Sequence, residues 1–299
     1  MNNPVLSLVL GTSFIGLAPI FVKFCDLAPS LIGLYRCGIA GITLLIFLII
    51  KKEKLLLERK FLTICFVAGF FFAGDLFVWH NSVILIGPGM ATVFGNTQAF
   101  YLLVIGHFLF HEKINLQKVL SIVGAFIGVV LIVNSQQHFF SNKETFYTGV
   151  LFGLSTGLFY ASYTTTIKKA NNYSQKDLTL QIITFASLFT AFWLAIFSFF
   201  EQDYNRNPLD SMEYLLALAF ICQIGGWSLI SRGLKKVPLS VSGLIILLQP
   251  VIAKGLGIII FDEPTSFTEI VGVIILLFCI YVGTSKSKKL KFRNSSLPL

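Results

Sequence analysis

Long apolar runs, each near the thickness of a bilayer, alternate with short polar turns along the whole chain. A membrane-crossing helix needs about 20 apolar residues, with a range of roughly 17–25. Ten runs meet or approach that length. The first five are Val5–Phe24, Pro29–Ile50, Phe61–Ser82, Pro88–Phe108 and Val119–Asn134. The second five are Tyr147–Ile167, Leu178–Phe200, Tyr214–Ser231, Val237–Phe261 and Phe267–Thr284. The fifth and tenth are the shortest and purest, which places them at the bundle periphery against lipid. The turns leave no room for a soluble domain, and the first run lacks the basic start and small-residue cleavage site of a signal peptide.

Polar residues interrupt this pattern in two places. The stretch Asp75–Tyr101 carries Asp75, Trp79, His80, Asn81, Asn96, Gln98 and Tyr101 among apolar residues. A weaker echo, Gln223–Lys254, carries Gln223, Trp227, Gln249 and Pro250. An aspartate at mid-membrane costs roughly 2.5–3.5 kcal/mol on insertion scales, so such residues face a bundle interior or a water-filled path.

The two halves also match one another. An offset of 150 puts Pro88 on Pro238; 151 puts Gln98 on Gln249, Glu112 on Glu263 and Ser121 on Gly272; 145 puts Lys23 on Lys168 and Arg36 on Gln181. Five spans per unit is an odd number, so the second unit enters the membrane upside down. The expected fold is an all-α membrane protein of ten transmembrane helices, arranged as two inverted five-helix repeats. The expected division is 1–140 and 141–287, with a basic cytoplasmic tail at 288–299.

Composition agrees: 55% of residues are hydrophobic, 12% are charged and the mean hydropathy is +0.81, where soluble domains carry about 25% charged residues. The net charge of +9 does not point to nucleic acid, because the basic residues sit in short turns rather than on one face. Alternate turns hold eighteen Lys and Arg against two, Lys143 and Arg206. By the positive-inside rule both termini are cytoplasmic. The five cysteines are scattered and mostly inside apolar runs, without metal-ligand spacing, and read as small packing residues.

Asp75 follows Phe61 by 14 residues, ~21 Å in from the cytoplasmic face. Asp75, Trp79 and Ser82 share one helix face. Two readings stand for Asp75: a solute contact, or an ion pair with Arg36 or Lys254 as charge partner. Asn96, Gln98, Gln223 and Gln249 fall near the midplane, as solute contacts or as hydrogen-bonded glue between helices. Trp79, Tyr101, Tyr160, Tyr163 and Trp227 offer aromatic surfaces that could stack on a ring or hold a cation. His80 reads as an interfacial residue rather than a proton relay. The substrate-binding set is therefore Asp75, Trp79, Asn96, Gln98, Tyr101, Tyr160, Gln223, Trp227 and Gln249.

Other motifs reduce to packing. Gly149, Gly153, Gly157 and Ala161 recur every four residues, and Gly124 and Gly128 form GxxxG, both signs of close helix approach. Gly153–Gly157 matches G-x-S-x-G, but a nucleophile elbow needs a strand–turn–helix and Ser155 falls mid-helix. His107, His111 and Glu112 are not read as a metal site. No phosphate-binding G-x-x-x-x-G-K-[ST] occurs, so direct coupling to ATP is unsupported, and no cofactor is expected.

AGDLFVWHNSVILIGPGMATVFGNTQAF with LLVIGHFLFHEKI in the first half, and ICQIGGWSLISRGLKKVPLSVSGLIILLQPVIAKGLGIIIFDEP in the second, resemble the EamA family of the drug/metabolite transporter superfamily. The shared features are Asp75–Leu76 with Trp79 in the third span, a small-residue run with Asn96 in the fourth, and Glu112 and Glu263 closing the fourth and ninth. The resemblance covers nearly the whole chain. It implies a ten-helix inverted-repeat carrier of small organic solutes that hydrolyses no nucleotide. One departure is Gln98–Ala99, where members commonly have a proline; the ninth span keeps Gln249–Pro250.

The expected function is a secondary transporter of a small organic metabolite such as an amino acid or amine, working by alternating access around a central polar pocket. The alternatives are an intramembrane enzyme using Ser155, or a channel or scaffold. Expected partners are the solute, the lipid bilayer and a coupling proton or counter-substrate, with a monomer or homodimer as the unit. The expected location is the bacterial inner (cytoplasmic) membrane, spanned many times.

Overall fold

The computed structural model describes residues 3–134, 143–201, 207–261 and 266–285, and their regular elements are all helical. In order these are α1 (Pro4–Ile15), α2 (Ala18–Phe24), α3 (Pro29–Ile50), α4 (Arg59–Gly95), α5 (Gln98–Phe110) and α6 (Leu116–Asn134). Then come α7 (Lys143–Asn171), α8 (Thr179–Ser198), a 3-10 turn (Pro208–Ser211), α9 (Met212–Ala217) and a π-helical stretch (Leu218–Gly226). Last are α10 (Trp227–Leu234), α11 (Leu239–Ile246), α12 (Leu248–Phe261) and α13 (Phe267–Ser285).

Among the described residues, five stretches are long and apolar enough to cross a membrane: Pro4–Phe24, Pro29–Ile50, Arg59–Ser82, Thr179–Ser198 and Pro208–Leu234. The apolar parts of α5, α6, α11–α12 and α13 are shorter. Arg206, Glu263 and the tail 288–299 lie outside the described residues.

Several expected spans are not single rods. The first breaks at Gly16–Leu17 because Pro19 lacks an N–H and its ring crowds the carbonyl four residues back, at Ile15. The ninth breaks at Leu247, next to Ile246, whose carbonyl lies four residues before Pro250 and meets the same constraint. The fourth breaks at Asn96–Thr97 without any proline. There the Thr97 hydroxyl donates to the Phe94 carbonyl at 2.5 Å, competing with the helical ladder. The turn is held by short-range bonds, Thr97 N–H to Phe94 O (3.1 Å) and Phe100 N–H to Thr97 O (2.9 Å). The two breaks stand immediately before α5 and α12, at the matched positions Gln98 and Gln249.

The third and fourth spans run together as the 37 residues of α4, which would measure ~55 Å if straight. It is not straight. Ser82 Oγ and the Phe94 side chain both lie within 3.1 Å of where a Gly153 Cβ would stand, whereas a straight helix separates positions twelve apart by ~18 Å. The chain therefore bends sharply between those residues.

Helix pairing follows a two-fold pattern. α3 packs on α8, α5 on α11, and α6 on α13, each joining corresponding spans of the two halves. The α4–α7 pair has its counterpart in α10–α1, as a rotation exchanging the halves requires. Small residues permit these approaches. A Cβ on Gly157 would sit 2.3 Å from Thr97 Oγ1, and one on Gly128 would sit 2.7 Å from the Gly272 carbonyl. The outer faces of α6 and α13 leave Leu120, Ile127, Ile274 and Phe278 exposed.

Acidic side chains tie helix ends. His111 is left-handed (φ 52°) and stops α5. The Glu112 carboxylate then accepts from Leu239 N–H (2.5 Å), Ser240 N–H (3.2 Å) and the Ser240 hydroxyl (2.7 Å), capping α11. Lys168 Nζ donates to the carbonyls of Leu234 (2.7 Å) and Val237 (2.5 Å) just before that cap. Glu201 serves α3 in the same way, accepting from Ser30 N–H at 3.0 Å.

Candidate functional site

Six helical segments converge on a buried polar and aromatic cluster: α3 with Arg36, α4 with Phe72 and Asp75, α7 with Tyr160 and Tyr163, the π-helical stretch with Gln223, α10 with Trp227, and α12 with Gln249. Phe72 lies one turn before Asp75, and Tyr160 and Tyr163 are one turn apart, so helical spacing turns both pairs to one side. Phe72 stacks on Tyr163 with centroids 4.4 Å apart and planes 15° apart. Trp227 meets Tyr163 edge-on at 4.4 Å, Phe72 at 5.4 Å and Tyr160 at 5.7 Å. The Gln249 amide donates to the Tyr160 hydroxyl at 3.0 Å.

Arg36 is 6% exposed and Asp75 is 5% exposed. They form no ion pair among the described residues, the second of the two readings of Asp75. Arg36 Nε donates instead to Gln223 Oε1 at 3.2 Å, its guanidinium lies 5.6 Å over the Phe72 ring, and Gln223 is anchored by its Nε2 to Ser187 Oγ at 2.9 Å. A guanidinium has five N–H donors, and this bond uses one. Asp75 has no hydrogen bond or ion pair among the described residues, and its Oδ1 is buried without a partner. The Tyr163 hydroxyl and the Trp227 indole N–H are likewise buried and unpartnered. Lys254, the other expected partner of Asp75, lies on α12 with its side chain outside the described residues.

The remaining expected residues have the following places. Trp79 is half-buried against His80, ring centroids 5.0 Å apart. Asn96 is buried in the α4–α5 break, and Gln98 reaches across to α11, its Nε2 3.5 Å from the Gly243 carbonyl. Tyr101 packs partly buried against the main core. His80 is buried, 6% exposed, beside Trp79. Ser155 donates its hydroxyl to Leu151 O at 2.8 Å, a bond within the helix.

The sequence reading passed over Phe72 and Ser187 and left Tyr163 outside the binding set. Phe72 and Tyr163 carried a signal, a one-turn spacing from Asp75 and Tyr160. Ser187 carried none, because its role depends on how α8 meets the π-helical stretch.

Chemically, the cluster holds a buried guanidinium and a buried carboxyl group, both beside Phe72 and not paired with each other among the described residues, next to an aromatic surface with two spare donors. Leaving a buried polar group unsatisfied costs about 1–3 kcal/mol, and more when it is charged.

A profile of the EamA-like transporter family matches residues 3–134 and 147–284. Among curated relatives, an "Uncharacterized transporter" of Haemophilus influenzae is 27% identical over 43% of this chain and 43% of its own length. The "Uncharacterized transporter YetK" of Bacillus subtilis is 28% identical over 62% and 56%. The chain thus spans about half the length of these two relatives. A "Probable amino-acid metabolite efflux pump" of Salmonella typhimurium is 20% identical over 65% of this chain and 67% of that one. One solved crystal structure superposes with a TM-score of 0.79, covering 96% of this chain and 99% of its own, at 14% identity; that likeness concerns the fold alone.

Proposed function

Because the chain belongs to the EamA-like transporter family of the drug/metabolite transporter superfamily, a family of membrane transporters rather than enzymes, we propose that it carries a small zwitterion, such as an amino acid. The solute's carboxylate binds Arg36 and its ammonium binds Asp75. The observation that carries this reading is the buried Arg36 and Asp75, both beside Phe72 and without an ion pair among the described residues. A guanidinium matches a carboxylate in shape as well as charge. Gln223 holds that guanidinium in place from its Nε side. An amine without a carboxylate would leave Arg36 idle, which favours the zwitterion. The Salmonella typhimurium relative, a probable amino-acid metabolite efflux pump, agrees with this choice.

Tyr160, Tyr163, Trp227 and Phe72 form the aromatic flank of the site, and Gln249 sets the Tyr160 hydroxyl. Trp79, Asn96, Gln98 and Tyr101 line the route from the α4–α5 break. The chain crosses the bacterial inner membrane ten times, as inverted units 1–140 and 141–287 with both termini and the tail 288–299 in the cytoplasm. The two-fold pairing of helices and the eighteen-to-two charge bias of the turns support this arrangement. Transport proceeds by alternating access, the breaks before Gln98 and Gln249 giving each half a point of flexure near the site. Coupling comes from a proton or a counter-substrate.

Purified full-length protein in liposomes is expected to take up labelled amino acids with saturation, and faster when the lumen holds unlabelled solute. Flux that rises linearly with concentration, without acceleration by internal solute, would indicate a channel and overturn the carrier reading.

A further inference from the structure

We infer that the outer seam between α4 and α8 is a binding site for an anionic phospholipid. A groove of about 350 Å³ opens there, lined by Leu57, Arg59, Leu62, Thr63, Phe66 and Phe189. Arg59 begins the apolar stretch Arg59–Ser82, so its guanidinium stands at headgroup depth while Leu62 and Phe66 follow into the hydrocarbon.

The mouth of the groove is positively charged and built. Arg59 lines it, and Lys51, Lys52, Lys54 and Lys60 stand in the same turn of the chain, against Glu53 and Glu58. The Glu58 carboxylate is taken up by the Tyr173 hydroxyl. The turn is pinned to α8 by Gln181, which accepts from Leu56 N–H at 2.8 Å and donates to the Lys54 carbonyl at 3.1 Å. Lys52 makes the turn in the left-handed region, at φ 54°. The basic side chains are thus presented by a fixed backbone.

Below the mouth runs an apolar track. Phe66 meets Phe189 and Trp193 with centroids 5.2 Å from each, and Phe70 meets Trp193 at 5.2 Å. Phe192, Val67 and Phe70 are 52%, 38% and 37% exposed beside it. Phe70 lies eleven residues below Arg59, ~16 Å deeper, about the depth of one leaflet. Free phosphate could use the cationic mouth but not the track, and a lipid without net charge could use the track but not the mouth. An anionic phospholipid uses both.

This inference rests on the chain being a membrane protein and not on the solute it carries, so failure of one reading leaves the other standing. The test is native mass spectrometry of the full chain, released from detergent containing equal amounts of phosphatidylglycerol and phosphatidylcholine. The wild type is expected to retain phosphatidylglycerol preferentially. The preference should fall by about fivefold for each basic residue removed in R59Q and R59Q/K60Q, while R59K keeps most of it. Millimolar inorganic phosphate should not displace the lipid. Equal retention of the two lipids by the wild type, an unchanged preference in R59Q/K60Q, or displacement by phosphate would each overturn the proposal. R59K also reports folding: loss of the preference there, with the charge retained, would contradict the charge argument.

Discussion

Asp75→Asn is expected to abolish most amino-acid uptake while leaving the melting temperature of the protein nearly unchanged. The side chain keeps its shape, and Asp75 has no hydrogen bond or ion pair to lose among the described residues. The solute would lose a charge-assisted hydrogen bond worth about 1.5–3 kcal/mol, or roughly a 10- to 150-fold loss of affinity. The competing account makes Asp75 a structural partner of Arg36. On that account the same change strands a buried cation and costs on the order of 3–5 kcal/mol. Stability would then return when both residues are made neutral. Uptake and melting temperature, measured together for Asp75→Asn and for Asp75→Asn with Arg36→Met, separate the two. A large fall in melting temperature that the double variant reverses would sink the solute reading.

Glu112→Ala is expected to act in the opposite way, lowering stability first and flux only as a consequence. Its carboxylate accepts three hydrogen bonds at the start of α11. Losing a helix cap costs about 0.5–2 kcal/mol, and stranded buried donors raise the cost toward about 3 kcal/mol. Lys118 adds to the loss, since its ammonium donates to the Ser240 hydroxyl at 3.0 Å and faces the same carboxylate. Glu112→Gln keeps one acceptor oxygen and should fall between the two. Thermal unfolding in detergent checks this ordering, and equal melting temperatures for wild type and Glu112→Ala would refute the capping role.

Much of the helical framework was legible because bilayer-length apolar runs and prolines are local signals. The second span was read as Pro29–Ile50 and α3 has those bounds, with Pro29 at a first-turn position where its missing N–H costs nothing. The glycines at 149, 153 and 157 announced the α7 contact with α4 in the same local way. Breaks inside runs were harder to see. Pro19 marked the first, but the apolar character around it continues unbroken. The break at Thr97 has no proline and depends on one side-chain hydrogen bond. The π-helical stretch at Leu218–Gly226 has no marker in hydrophobic period at all.

The candidate site was legible as a list of residues and not as an arrangement. Arg36 and Asp75 stood out because buried charge is expensive. Their relation did not, because the rotation of α3 against the π-helical stretch decides whether Arg36 faces Gln223 or Asp75. That rotation comes from packing between segments some 187 positions apart in sequence. Gln98 and Gln249 were matched by offset, yet one reaches the Gly243 carbonyl and the other the Tyr160 hydroxyl. Equivalent positions in two repeats share a place in the fold without sharing a partner.

The central claim is that Arg36 and Asp75 together select a solute carrying both charges. The most direct measurement is competition against labelled amino-acid uptake in liposomes, using an α-amino acid, its amide, which lacks the carboxylate, and its N-acetyl form, which lacks the ammonium. The account predicts that the parent competes and that each single-charge analogue is weaker by at least about tenfold, the value of one charged contact of ~1.5 kcal/mol. Arg36→Met should erase the distinction between parent and amide. An amide that competes as well as the parent in the wild type would contradict the account.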